Sequence, residues 1–119
     1  MNRIKLSGIY IIKHAPSGRF YIGMSTDIFG RWGSHYGTIK MAQHTSVELA
    51  RLWLATDITE WSFSVLEAHS ITKYKKDEGL KGKAADAAFR KFLFGREKEV
   101  MSLYPKNLAL NKDNKRFKD

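Results

Sequence analysis

Ten residues lie between Tyr10 and Tyr21 in the tripeptides Gly8-Ile9-Tyr10 and Tyr21-Ile22-Gly23, and Arg31 and His35 follow shortly after. These side chains have a chemistry in common. If both tripeptides are strands of one hairpin, Tyr10 and Tyr21 bring their hydroxyls to one face of it. A phenol titrates near 10, so it serves as a base at neutral pH only with positive charge or a metal beside it. Arg31 carries a permanent cationic fork that matches a phosphate. His35, four residues on, lies one helical turn along the same face. Arginine, tyrosine and histidine on one patch suit phosphodiester cleavage, in which negative charge builds on phosphate oxygens. Each also has a plainer structural reading: half-buried strand tyrosines, a surface arginine, a histidine satisfied beneath a loop.

The elements that must position these groups follow from the residue pattern. Residues 7–13, rich in β-branched and aromatic side chains, predict a strand. Ala15-Pro16-Ser17-Gly18 predicts a turn in which proline presets one φ and glycine permits a positive one. A second short strand over 19–23 completes a β-hairpin. Ser25-Thr26-Asp27 offers N-caps for a helix from Ile28 through His35 or beyond, which Gly30 and Gly33 weaken, so that packing must hold it. His44-Thr45-Ser46 reads as the start of a second helix whose apolar residues, from Val47 to Leu54, fit one face. Large apolar and small polar residues alternate over 61–66, as in a third strand with one buried face. The stretch 73–83 is basic and broken by Gly79 and Gly82, predicting a loop or irregular helix. Residues 84–94 and 96–104 predict two further helices, the second ended by Pro105. The expected architecture is one α/β domain, a small three-stranded, mainly antiparallel sheet flanked by helices, with no internal repeat.

Composition narrows the function classes. A chain of 119 residues and 13.7 kDa buries enough surface for one core without a staple. The absence of cysteine excludes disulfides, thiolate metal sites and thiol nucleophiles, and fits a reducing, intracellular setting such as cytoplasm or nucleoid. No apolar run approaches a membrane span and no signal-peptide core is present, so no membrane partner is expected. The formal charge of +9 and a pI near 9.9 point to a polyanion. Residues 61–119 carry fourteen Lys/Arg and eight Asp/Glu, +6 of the total. Lys73, Lys75 and Lys76, and the tail with Lys112, Lys115, Arg116 and Lys118, could line a phosphate backbone or form a solvated face.

The ordered set of Gly8-Ile9-Tyr10, Tyr21-Ile22-Gly23, Arg31, His35, His44-Thr45-Ser46, a later helical glutamate and Asn111 resembles the GIY-YIG nuclease family over nearly the whole chain. The resemblance implies a divalent-metal-dependent endonuclease on double-stranded DNA, of homing, restriction or repair type, a phage- or mobile-element-encoded homing enzyme among them. It implies that Tyr10, acting as or through a general base, activates a water. Arg31 then stabilises the phosphate charge while Tyr21 and His35 orient water and phosphate. Gly23, His44 and Asn111 support the site, and one helical glutamate holds one Mg²⁺ or Mn²⁺. For that ligand, a common family interval of twelve residues back from Asn111 lands on Glu99. Helix phase favours Glu97, because Leu93, Phe94, Val100, Met101 and Tyr104 share its side. Thirty positions separate Glu67 from Glu97, so a basic insertion is expected around 70–92, with Lys73, Lys75, Lys76, Arg90 and Lys91 as DNA-binding residues or as decoration of a surface helix. No heptad stripe marks a dimerisation helix, so a monomer in solution is expected, with dimerisation on DNA left open. The alternative is a non-catalytic nucleic-acid-binding module that keeps the fold.

Overall fold

The structure, a computed structural model, describes residues 5–40 and 46–119. Three strands, β1 (Ser7–His14), β2 (Phe20–Ser25) and β3 (Trp61–His69), form one sheet in the order β2-β1-β3, antiparallel throughout. Between β2 and β3 lie helices α1 (Ile28–Lys40) and α2 (Val47–Leu54), and after β3 come α3 (Ile71–Glu78) and α4 (Gly82–Met101). Short 3₁₀ turns precede β3 (Ile58–Glu60) and follow α4 (Lys106–Leu108).

Strand alternation splits the core in two. Ile9, Ile11, Phe20 and Ile22 face α4 and pack on Val100, Met101, Ala109 and Phe117. Tyr10 and Ile12 face the other way, against Ile28, Trp32, Trp61 and Phe63, and α2 adds Leu49 and Trp53 beside Leu110. Because both faces of β1 are covered, its burial is nearly continuous. The sheet is therefore the middle layer, with α1 and α2 on one side and α4 on the other. At the tip of the hairpin, His14 binds Ser17 Oγ through Nδ1 (2.7 Å) and Glu60 through Nε2 (3.1 Å), clasping the turn to the 3₁₀ segment before β3.

Three expectations change. The basic stretch after β3 is an ordered helix, α3, because Ser70 caps its N-terminus and Gly79, in the left-handed conformation, ends it. The helices expected at 84–94 and 96–104 are one helix, α4, which ends at Met101. Gly95 does not break it: Ala85, Phe89, Leu93, Glu97 and Val100 hold one inward stripe across the glycine, whose missing side chain faces open space. Burial of that stripe outweighs the roughly 1 kcal/mol that a helical glycine costs. Strand β3 also runs past Leu66, where the register shifts: Tyr10 pairs with Val65 but Ile9 with Glu67.

That irregularity explains Gly8. Its φ is +151°, and a Cβ there would overlap the backbone carbonyl oxygen of Glu67 on β3. Gly8→Ala should destabilise the fold by about 3 kcal/mol or more, read as a lowered urea midpoint at unchanged slope. The same end of β3 is tied to α4 by Arg96, which donates to both carboxylate oxygens of Glu67 (3.0 and 2.6 Å), while His69 meets Glu67 at 2.7 Å. Arg96 first, then His69, hold the Glu67 carboxyl down at about 2, below its ordinary 4.5. The stabilisation from this depressed value is fully present above pH 4.5 and is lost as pH falls towards about 2. Glu67→Gln should therefore be less stable than wild type at pH 7, and the gap should close on acidification, as thermal melts across pH will register.

Candidate active site

Tyr10 pairs with Gly23 and Tyr21 with Ile12, which places both tyrosines on the α1 side of the sheet as diagonal neighbours. A Cβ on Gly23 would lie 2.5 Å from the Tyr10 hydroxyl, so the glycine makes room for the phenol to cross β2. There the hydroxyl meets His35 Nε2 at 2.6 Å. Tyr10 and His35 are each 1 % exposed, and the Tyr21 ring packs edge-on to the same imidazole, with centroids 5.1 Å apart.

Arg31 is one turn before His35 on α1, exposed to solvent, and its positive charge acts on both phenols. Charge and burial act on the phenols in opposite senses. Burial raises the Tyr10 hydroxyl well above the ordinary tyrosine range, with neighbouring Tyr21 adding to the rise, and Arg31 offsets only part of it. Tyr21 is raised by burial and held back by Arg31 in the same way. Both phenols thus keep their protons at neutral pH, and the partner ready to share one is His35.

From the α4 side, Glu97 turns inward at 9 % exposure. Burial raises its carboxyl, opposed by Arg116, whose Nη1 is 3.5 Å from Oε1. Glu99 faces out, its side chain 73 % exposed and bound to Arg96 at 2.9 Å. The phase of α4 thus separates the two glutamates. Glu97, Tyr21, Asn111, Lys112 and Arg116 line a cleft of about 220 Å³ beside the outer edge of β2.

Asn111 closes that edge. Its Oδ1 accepts from the Ile22 N–H (3.1 Å) and its Nδ2 donates to the Ile22 carbonyl (2.7 Å), replacing a strand partner with a side chain. Leu110 N–H donates to the Phe20 carbonyl at 2.6 Å, and Ser46 Oγ donates to the Leu110 carbonyl while capping α2. His44 lies outside the described residues. The basic residues of the 70–92 interval stand apart, and none lines the cleft. Lys73, Lys76 and Lys91 are exposed, Lys75 pairs with Asp86 (3.3 Å), and Arg90 borders a separate groove with Lys5 and Ser70. Arg116, expected only as one basic residue of a tail that could line a phosphate backbone, joins the site beside Glu97. Phe117 beside it is buried, which anchors this tail.

The donor set suits one hard divalent ion. No group of three or more His, Cys, Asp or Glu could enclose a metal among the described residues. Mg²⁺ is commonly held by one or two carboxylates, with water and phosphate completing its shell. A single buried carboxylate at an open cleft matches that habit.

Gly23→Ala should cost about 1–3 kcal/mol by driving the Tyr10 phenol off His35. A conservative Tyr10→Phe should keep the packing but take this partner from the buried His35 Nε2, at about 1–3 kcal/mol. Chemical-denaturation midpoints of the two variants measure each loss.

Three comparisons with known proteins bear on this geometry. The family description "GIY-YIG catalytic domain" matches residues 6–84. A comparison with curated protein sequences gave no significant match. Among solved structures, the chain is similar to the "catalytic domain of intron endonuclease I-TevI", in a point-mutant form (23 % identity, TM-score 0.68, 94 % of this chain and 98 % of that one). It is likewise similar to the "Structure of the Catalytic Domain of Homing Endonuclease I-TevI" (23 % identity, TM-score 0.66, 90 % and 98 %). At that identity the structural likeness speaks to the fold, which is the same small antiparallel sheet between helical layers. Since the family match spans most of the chain and contains both tyrosine tripeptides, Arg31 and His35, the chain belongs to the GIY-YIG catalytic-domain family.

Proposed function

We propose that the chain is a divalent-metal-dependent endonuclease of homing type that hydrolyses phosphodiester bonds in double-stranded DNA. One observation carries the reading: Arg31, the Tyr10–His35 pair, Tyr21 and the buried Glu97 gather around β2 from four separate elements, with Tyr21 and Glu97 at one cleft. A merely structural role requires no such convergence of a cationic fork, two phenols and a carboxylate. The name of the structural neighbour in both comparisons, the intron and homing endonuclease I-TevI, supports it.

In this mechanism Arg31 presents its fork to the scissile phosphate and balances the charge that grows on its oxygens. Tyr21, protonated and at the cleft, donates to the phosphate and helps seat the attacking water. Tyr10 acts through His35: its hydroxyl passes a proton to Nε2 as it receives one from the water. No phenolate accumulates, which agrees with hydroxyls that burial holds protonated. Glu97 would hold one Mg²⁺ or Mn²⁺, which supplies Lewis acidity towards the phosphate and the departing 3′ oxygen. Asn111 keeps β2 in place under Tyr21. With one such centre among the described residues, each engagement cuts one strand, and a monomer in solution must reorient, or meet a second copy on the DNA, to cut both.

Supercoiled plasmid with Mg²⁺ should yield nicked circles before linear product, and excess chelator should stop the reaction. Arg31→Ala and Glu97→Gln should each lower the rate by about 10²–10³-fold, whereas Glu99→Gln should cut normally. Binding that weakens with salt but never yields cut ends would make the chain a non-catalytic nucleic-acid-binding module instead.

A further inference from the structure

Arg116 is held in place by its neighbours in the chain. Phe117 is buried against Phe20, and the Lys118 backbone donates to the Tyr104 carbonyl (2.8 Å) and accepts from the Lys106 N–H (2.7 Å). This stitching aims the guanidinium at Glu97 (3.5 Å) and lays it over the Phe94 ring, 4.3 Å from the centroid. Phe94 sits three residues before Glu97 on α4, so the ring and the carboxylate present one cation–π and one ionic contact on the same side of the helix. The contact with Glu97 engages one edge of a fork with five donors, and the residue borders the cleft that Tyr21 and Asn111 also line.

A cation fixed on Glu97 opposes a second, divalent cation on the same carboxylate. An entering phosphate reverses that conflict, because it offers the guanidinium a new bidentate partner. We propose that Arg116 is a partner-exchanging residue. In the free protein it holds Glu97, and on DNA it passes to a backbone phosphate and releases Glu97 to the metal, so that metal and DNA bind cooperatively. This rests on the reading of Glu97 as the metal ligand. Binding energies linked in this way are reciprocal, so the exchange is measurable from either side and without turnover.

The test uses the full chain and two readouts other than cleavage. Mn²⁺ is titrated calorimetrically into DNA-free protein, and a short fluorescein-labelled DNA duplex is titrated by anisotropy in chelator. Arg116→Ala should bind Mn²⁺ about fivefold or more tightly than wild type, and should bind the duplex more weakly in the absence of metal. Arg116→Lys, which keeps the charge without the planar fork, should fall between the two on both readouts. Unchanged or weaker Mn²⁺ binding by Arg116→Ala overturns the proposal, since it leaves Arg116 only as a support for the carboxylate. Glu97→Gln distinguishes the underlying reading: its loss of Mn²⁺ binding upholds Glu97 as ligand whatever Arg116 does, and Mn²⁺ binding equal to wild type sinks both. Should Arg116→Ala melt early, Arg116→Gln, which retains the stem over Phe94, carries the same comparison.

Discussion

A phenol hydroxyl buried inside a small protein must find a partner, and much of this architecture follows from how Tyr10 finds one. The hydroxyl reaches His35 only by crossing β2, and it crosses β2 only because residue 23 has no side chain. The resulting hydrogen bond fixes the rotation of α1 against the sheet, since His35 must point inward. Once that rotation is set, Arg31, one turn earlier, stands over the tyrosines rather than away from them. An unpaired phenol in this position would cost about 1–3 kcal/mol. The same contact thus serves stability and aims the cationic fork.

Burial and charge oppose each other throughout the cleft. Desolvation lifts both phenols and the Glu97 carboxyl, while Arg31 and Arg116 pull in the other direction. Desolvation prevails at each of the three. A site so balanced keeps its acidic groups protonated more readily than free side chains would, and it favours the arrival of further positive charge at Glu97 or negative charge at Arg31. The net basic character of the chain adds attraction at longer range, but the α3 lysines that contribute to it lie away from the cleft.

How much could be read from the residues alone depended on the range of the forces involved. Strand alternation and turn chemistry are local, so β1, the hairpin and the start of β3 were legible. The inward placement of Glu97 was legible from helix phase, because the stripe through Leu93 and Val100 admits only one of the two glutamates inward. Helix α3 was hidden by its polarity: it buries no residue completely, and only its caps at Ser70 and Gly79 betray it. The unbroken α4 was misread because Gly95 suggests a break where packing supplies none. Gly8 and Gly23 stood out as motif letters, yet their reasons are tertiary, a carbonyl on β3 for one and a phenol for the other. Arg116 was beyond local reasoning, since its aim depends on Phe117 docking against a strand from the other end of the chain.

The closure of β2 by Leu110 and Asn111 has a bearing on synthesis. Asn111 and Ile22 are 89 residues apart, so the hairpin that carries both tyrosines emerges from the ribosome long before its edge is covered. At translation rates of about 5–20 residues per second, that interval is on the order of ten seconds. For most of it the nascent chain shows an unpaired strand edge, and Glu97 is made only fourteen residues before Asn111 and Arg116 five after it. The assembled cleft therefore arrives late, after the last stitches along β2 are drawn.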